Sequence, residues 1–327
     1  MNTILWRRIL LATLAACAVW STHAGAQQYP AKPVRIMVGY SPGGGVDTTA
    51  RIIAAELTKL WGAQVLVENR PGASGNIATE LTAKAAPDGH TLVLCNIGSH
   101  AITPARFRSR LTYDPIGDFA FPAMIGGVPN VLMVHPSMPM KDLRQYIAYA
   151  KANPGKLNFG SSGVGGSPHL SIELFKTLSG INIVHVPYKG AAAALADVMS
   201  GHMESSVGNL AGGPLGAIKA RRVRALGVTS AKRNAQVPKV ATFAEQGVKG
   251  YDVTGWYGLC TQSRVAPEIL AKINTDVNKL LGGVLKKRLE DQGITINATT
   301  QEAFAAHVKA EQEKWTKVVR EAKLTGR

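Results

Sequence analysis

Two glycine-rich stretches hold the residue types best suited to gripping a small molecule. The first is Ser41-Pro42-Gly43-Gly44-Gly45-Val46-Asp47, and the second is residues 160–169, GSSGVGGSPH. Each follows a β-branched run and precedes a segment of helical period, so each reads as a strand-to-helix turn. Glycine there lets the backbone approach a ligand, and the first helical N–H groups, which lack partners inside the helix, point at it. Such turns suit a carboxylate or phosphate. Gly44 is expected to make the closest approach. Asp47 reads as the N-cap of the first helix, and Ser167 as a cap of the second that also offers its hydroxyl. His169 opens that helix, where a histidine is either a ligand contact or a structural hydrogen-bonder.

Other chemistries fit less well. No Gly-Lys-Ser/Thr follows the first loop, which excludes a P-loop, and a dinucleotide fingerprint fits poorly. The nearest string to a nucleophile elbow, residues 160–163, lacks the Gly-x-Ser-x-Gly spacing. There is no Cys-x-x-Cys and no His-Glu-x-x-His, so neither metal nor cofactor is expected. The chain of 327 residues has 37 Lys+Arg against 21 Asp+Glu, a net charge of +16. The bases are scattered, with short groups such as Arg221-Arg222 and 286–288, so the charge reads as a solvated surface that attracts anionic solutes rather than nucleic acid.

The elements around the loops alternate. Strands are expected over 34–40, 64–68 and 91–96, with helices over 48–60 and 76–86 between them. A second set comprises strands near 131–134, 157–159, 183–186 and 223–229, with helices over 141–153, 170–178 and 191–199. This alternation predicts an α/β fold with mostly parallel strands and covering helices. The chain then returns through an apolar strand over 253–260 to helices opening at Pro267 and at a capping box of Thr299 and Glu302. Two lobes follow, with residues 27–125 and 253–327 forming the first and 126–252 the second. The segments near 119–127 and 251–260 are the expected crossings, and the ligand cleft lies between the lobes.

The N-terminus reads as an export signal: Arg7-Arg8, an apolar stretch over 9–20, and Ala24-Gly25-Ala26 before Gln27. Cleavage after Ala26 leaves a net charge of +14. The apolar run is too short to span a bilayer, where about 20 residues are needed. Leu14-Ala15-Ala16-Cys17 resembles a lipobox, the less favoured alternative. Cys95 and Cys260 then remain, in apolar strand-like runs far apart in sequence; an exported protein permits a disulfide between them, but cysteines so far apart are more often buried free thiols, and the sequence leaves their pairing open.

Seven motifs together carry a resemblance: 29–33 (YPAKP), 42–47 (PGGGVD), 67–72 (VENRPG), Gly75-Asn76, 86–89 (APDG), 186–190 (VPYKG) and 228–233 (VTSAKR). From Tyr29 to the C-terminus the chain resembles the periplasmic receptors of tripartite tricarboxylate transporters, often called Bug receptors. The resemblance implies a two-lobe periplasmic binding protein fold of type II-like form, without enzymatic activity. It implies capture of a small mono-, di- or tricarboxylate for membrane transporter subunits by a monomer without cofactor. The ligand contacts it implies are Tyr40, Pro42, Gly43, Gly44 and Asp47, then Ser99 and His100, then Gly163, Gly166, Ser167 and His169, and Tyr188; Gly208 and Asn209 are expected beside them. Lys189 is structural or exposed. Many relatives carry an aromatic residue and Asp-Asn where this chain has Val207, Gly208 and Asn209. Gly208 therefore removes a carboxylate from the cleft and disfavours an amino-acid ligand. Two other readings share the same residues: an exported α/β hydrolase using Ser167 and His169, and a sensor domain for a membrane signalling partner.

Overall fold

The computed structural model describes residues 29–321. The export signal, the Cys17 lipobox and the cleavage pattern at 24–26 lie outside the described residues.

The first alternating set forms as its periodicities require. Strand β1 (Val34–Val38) pairs in parallel with β2 (Val65–Asn69) and β3 (Thr91–Asn96). Helix α1 (Gly45–Trp61) connects β1 to β2 and buries Ala50, Ile53, Ala54 and Leu57, one stripe at helical spacing. It stops at Gly62, whose left-handed φ of 64° a residue with Cβ would resist. Burying Ile53 and Leu57 contributes about 1.5–3 kcal/mol each. Helix α2 (Asn76–Ala83) leads to β3, and a tight buried turn over 98–102 leads into α3 (Thr103–Phe107).

Strand β4 (Phe119–Val134) then runs unbroken for 16 residues. The expected crossing at 119–127 and the expected strand at 131–134 are thus one strand. Its first part pairs antiparallel with β9 (Thr254–Gln262), from Phe119 opposite Gln262 to Pro129 opposite Thr254. Its second part pairs with β7 (Ser205–Asn209) and β8 (Arg224–Val228). The two segments expected as crossings therefore lie side by side mid-sheet, where β4 and β9 are antiparallel rather than parallel.

The second set follows: α4 (Leu143–Ala152), β5 (Asn158–Ser161), α5 (Ser167–Ser179), β6 (Val184–Pro187), α6 (Ala191–Met199), β7 and α7 (Gly213–Lys219). Here β5 pairs in parallel with both β6 and β7. The sheet order is β2-β1-β3-β9-β4-β7-β5-β6. After β9 come α8 (Pro267–Gly282), α9 (Val284–Glu290), β10 (Thr295–Ile296), which pairs with β4, and α10 (Gln301–Glu321). The hydroxyl that accepts the Ala303 N–H at the head of α10 belongs to Thr300, so the expected cap at Thr299 is displaced by one residue. The Thr299 carbonyl instead accepts from the Asn274 and Asn278 amides.

Cys95 and Cys260 are joined by a disulfide with their Cα atoms 5.8 Å apart, not free thiols. Cys95 sits opposite Gly258 and Cys260 opposite Val93, so the two sulfurs share one face of the β3–β9 pair, one diagonal step apart. A sequence separation of 165 residues concealed a contact that strand pairing creates.

Candidate functional site

At the β1–α1 turn the cap is Gly44, and Asp47 lies inside the first helical turn. The expected N-cap role of Asp47 is therefore corrected. Its carboxylate bends back to accept the Gly43 N–H at 3.0 Å. It also accepts from Arg51 Nε at 3.0–3.1 Å and from Asn69 Nδ2 at 2.9 Å. Burial works against its ionisation, but Arg51, the Gly43 amide and Asn69 outweigh that and hold the carboxyl below its ordinary range. Asp47 anchors the loop and its acceptors are committed. Asn69 also donates to the Tyr40 carbonyl at 3.0 Å, tying the strand end to the same anchor.

The second turn is built from neutral groups. Gly166 caps α5, with Ser167 and Pro168 as its first helical residues, so Ser167 does not cap. The Ser167 hydroxyl oxygen accepts from Asn130 Nδ2 at 2.9 Å, and Asn130 Oδ1 accepts from Asn209 Nδ2 at 2.8 Å. The Ser167 proton is thus free to be donated. His169 Nδ1 accepts the Gly165 N–H at 3.0 Å, and its ring stacks on His185 with centroids 3.9 Å apart. Burial first, then His185, Arg106 and Lys176, push His169 down to about 2. Burial, Lys176 and Arg106 push His185 down to about 4. His169 holds the loop from behind as a neutral ring. Ser167 touches an amide donor and cannot pass it a proton, which removes the basis for a Ser-His hydrolase.

The two turns meet. Ser41 donates from its N–H (3.3 Å) and its hydroxyl (3.0 Å) to the Lys189 carbonyl. Ser74 Oγ donates to the Val164 carbonyl at 2.5 Å, and Thr103 Oγ1 to the Gly165 carbonyl at 3.3 Å. Ser74 is held at φ 56°, a left-handed conformation that costs a non-glycine residue about 1 kcal/mol or more. Its own carbonyl accepts from Tyr40 Oη at 2.8 Å. Between the turns lies a cavity of about 10 Å³, room for the centre of one water. The two turns are therefore in direct contact around it.

Of the expected contacts, Tyr40, Ser167 and Asn209 line this cavity. Gly44 and Gly166 cap the helices that border it. Pro42 and Gly43 are exposed at the loop tip. Gly163, at φ 136°, faces Ser74. Ser99 and His100 are in the core behind: His100 is fully buried, packs edge-on to Phe119 at 4.8 Å, and is pushed down to about 3 by burial. Tyr188 donates to Asp197 at 2.5 Å and packs on Gly160. A side chain on Gly208 would face Ala191 and Pro214, so the structure does not bring this position into the cavity.

Sequence reasoning missed Asn96, Ser162, Trp256 and Tyr257, which also line the cavity. The Tyr257 hydroxyl is buried and, among the described residues, has no partner. It stands 3.1 Å from where a Cβ on Gly45 would lie, beside the first turn of α1. Burial and then Tyr40 raise its pKa far above the phenol range, and burial pushes Tyr40 up to about 12, so both remain neutral donors. Among the described residues no side chain that is charged at neutral pH lines the cavity.

Residues 49–324 match the family model of the tripartite tricarboxylate transporter family receptor. The chain belongs to this family. The receptor is 32% identical to BugT of Bordetella pertussis over 315 residues, 94% of this chain and 96% of that one. Among solved structures it resembles Rpa4515 of R. palustris with adipate, at 36% identity and a TM-score of 0.86, covering 90% of this chain and 98% of that one. It also resembles MatC (Rpa3494) from Rhodopseudomonas palustris with bound malate, at 30% identity and a TM-score of 0.84, covering 89% and 100%. The periplasmic binding protein BugD is a further solved structure of the same likeness, at 27% identity and a TM-score of 0.86, covering 91% of this chain and 100% of that one. The chain is thus a solute-binding receptor of this family rather than an enzyme. Among the described residues no helix is long and apolar enough to cross a membrane.

Proposed function

We propose that this receptor captures a small dicarboxylate lacking an ammonium group in the periplasm and delivers it to a tripartite membrane transporter. The observation that carries this reading is the convergence of the N-termini of α1 and α5 on one cavity without charged side chains. Helix N-termini favour an anion, and the free donors of Ser167 and Tyr257 complement it. An ammonium entering the same space meets two positive helix ends and no acid, and its lost hydration goes unreplaced. Gly208 takes no part in this preference, since a side chain there would face Ala191 and Pro214. The dicarboxylates bound by Rpa4515 and MatC agree with it.

In this reading the chain is exported, cut after Ala26 and acts as a monomer. Residues 27–125 with 253–327 close on 126–252 around the ligand, with Tyr40, Ser167, Asn209 and Tyr257 as side-chain contacts. Charge-assisted hydrogen bonds contribute about 1.5–3 kcal/mol each, so a few suffice for micromolar affinity, about 8 kcal/mol. Calorimetric titration with adipate, malate, succinate and aspartate tests this. At least one dicarboxylate is expected to bind, and succinate more tightly than aspartate. Failure of all three dicarboxylates, or preference for aspartate, refutes it.

A further inference from the structure

The Cys95–Cys260 bridge sits one ladder step from the cavity. Both cysteines are fully buried, and they belong to the antiparallel pair of β3 and β9. Cys95 stands opposite Gly258, and the next pair along the ladder is Asn96 opposite Tyr257. Those two residues line the cavity. Asn96 Oδ1 also accepts the Gly98 N–H at 2.8 Å and the Ser99 N–H at 3.3 Å, which starts the buried turn over 98–102. The spacing of β3 and β9 at the bridge therefore sets where Asn96 and Tyr257 stand.

The sulfurs are tightly enclosed. Cys95 Sγ lies 3.2 Å from the Gly258 carbonyl oxygen. A Cβ on Gly258 would fall 2.2 Å from Phe304 Cζ and 3.0 Å from the Ala123 carbonyl oxygen, so α10 presses directly on this ladder step. On its other side β9 is paired with β4, Gly258 opposite Met124 and Tyr257 opposite Gly126, and it cannot slide away as a body. Two thiols need more space than one disulfide, because bonded sulfurs sit inside van der Waals contact and each thiol adds a hydrogen. In a close-packed layer that extra volume pushes neighbours off their positions.

We propose that oxidation of Cys95 and Cys260 completes the binding site, so that the receptor becomes competent only in an oxidising compartment. The inference rests on the dicarboxylate reading above for its ligand. The step balances: each thiol gives up a proton, the pair gives up two electrons, and the disulfide of an oxidant, protein or small molecule, is reduced to two thiols. In the unbridged chain the crowded sulfurs part β3 from β9 and displace Asn96 and Tyr257. Once formed, the bridge is out of reach of an attacking thiolate in the folded receptor, so the gate acts once, during folding.

The test compares the mature receptor in its oxidised form, the same chain refolded from urea in a phosphine reductant, and the double variant Cys95→Ala/Cys260→Ala. Adipate, malate and succinate binding is read by calorimetry, and strand order by hydrogen exchange over 91–97 and 254–262. The reduced chain is expected to bind about tenfold more weakly or worse and to exchange faster in both strands, while β2 exchanges as before. Refolding with oxidised glutathione should restore affinity as two free thiols disappear. The alanine variant, which has no sulfurs to crowd the layer, should bind within about threefold of the oxidised receptor. Reduced protein that binds and exchanges like the oxidised form overturns the proposal, and so does an alanine variant as weak as the reduced chain. If the reduced chain does not regain its circular dichroism, an alanine variant that folds and binds supports the crowding. An alanine variant that also fails to fold assigns the bridge to folding alone and overturns the proposal. Failure of the oxidised receptor to bind any of the three dicarboxylates overturns the ligand reading instead, and the exchange over the two strands then decides the gate by itself.

Discussion

The two glycine turns present the same feature, a helix N-terminus at the cavity, but are anchored by opposite means. The first is held by an ionised carboxylate, Asp47, shared among Arg51, Asn69 and a backbone amide. The second is held by neutral groups: His169 on the Gly165 amide, His185 on Ser161 at 2.7 Å, and Asn130 on Ser167. An anchor of charge resists acid until its carboxyl protonates, whereas an anchor of neutral histidine is opposed by every proton the unfolded chain takes up. Loops of like composition thus differ in what disturbs them, and the difference lies in residues outside the glycines.

Acid should separate the two most strongly. His169 and His185 fold with pKa values near 2 and 4, below an unfolded value of about 6.5, so the unfolded chain binds more protons between those limits. Their contribution is complete above pH 6.5 and is lost as pH falls below it. At pH 5 His169 alone should cost about 2 kcal/mol, His185 less because it is more exposed, and the core residue His100 about 2 more. Asp47, with a depressed pKa, loses nothing until pH falls below the carboxylate range near 4. Urea unfolding at pH 7 and pH 5 should show this drop. His169→Asn, which keeps an acceptor for Gly165 but cannot titrate, should shrink it. A drop of the same size in that variant places the protons elsewhere.

Gly45 offers the next largest effect. A Cβ there would lie 2.9 Å from the Ala211 Cβ and 3.1 Å from Tyr257 Oη, whereas one on Gly44 meets nothing closer than 3.9 Å. Gly45→Val should therefore weaken dicarboxylate binding at least 100-fold, about 3 kcal/mol, by displacing Tyr257 and the first turn of α1. Gly44→Ala should change it less than threefold. Equal effects at the two positions would mean that the ligand, not the protein, limits the space.

Why the sequence pointed to Gly44 shows how far it can be read. The strand–helix alternation and the strand-to-helix position of both turns are legible, because periodicity is local and both turns interrupt it. The middle of the long strand β4, Gly126-Gly127-Val128-Pro129, reads as a break in the sequence, yet β9 pairs along it. The helical pattern of α1 becomes visible only at Thr48, three residues after the helix starts, because glycine has no apolar signal. Tyr257, Asn96 and the Cys95–Cys260 bond lay outside local inspection, since each depends on β3 and β9 becoming neighbours. The sequence also offers Asp47 and His169 as ligand contacts; in the structure the Asp47 carboxylate accepts from Gly43, Arg51 and Asn69, and His169 Nδ1 accepts from Gly165. Residue type and spacing show that a polar group is near a loop, but only the hydrogen-bond count shows whether it has capacity left.

Breaking the first anchor gives a moderate effect. Asp47→Asn keeps the shape, but it removes the charge that pairs with Arg51 and leaves the Gly43 amide and Asn69 competing for one carbonyl oxygen. A lost charge-assisted bond costs about 1.5–2 kcal/mol, so dicarboxylate affinity should fall about 10- to 30-fold. The unfolding profile between pH 7 and pH 5 should keep its slope, because Asp47 does not titrate there. A changed slope would mean that the two anchors are coupled across the cavity.

The smallest effect is expected from Ser167→Ala. In the present arrangement Ser167 Oγ accepts from Asn130 and has one proton left for a ligand. Removing it takes away one neutral donor while the amides at the head of α5 remain. A neutral hydrogen bond contributes about 0.5–1.5 kcal/mol net, which predicts a two- to twelvefold loss. Removing the oxygen also frees an Asn130 N–H, which still has Ser171 Oγ at 3.3 Å. Stability should accordingly change by less than about 1 kcal/mol. A loss as large as that for Gly45→Val would mean that the ligand reaches Ser167 as its principal contact, so that the second turn, not the first, dominates recognition. No loss at all would assign the hydroxyl wholly to Asn130 and leave Tyr257 as the side-chain donor to test next.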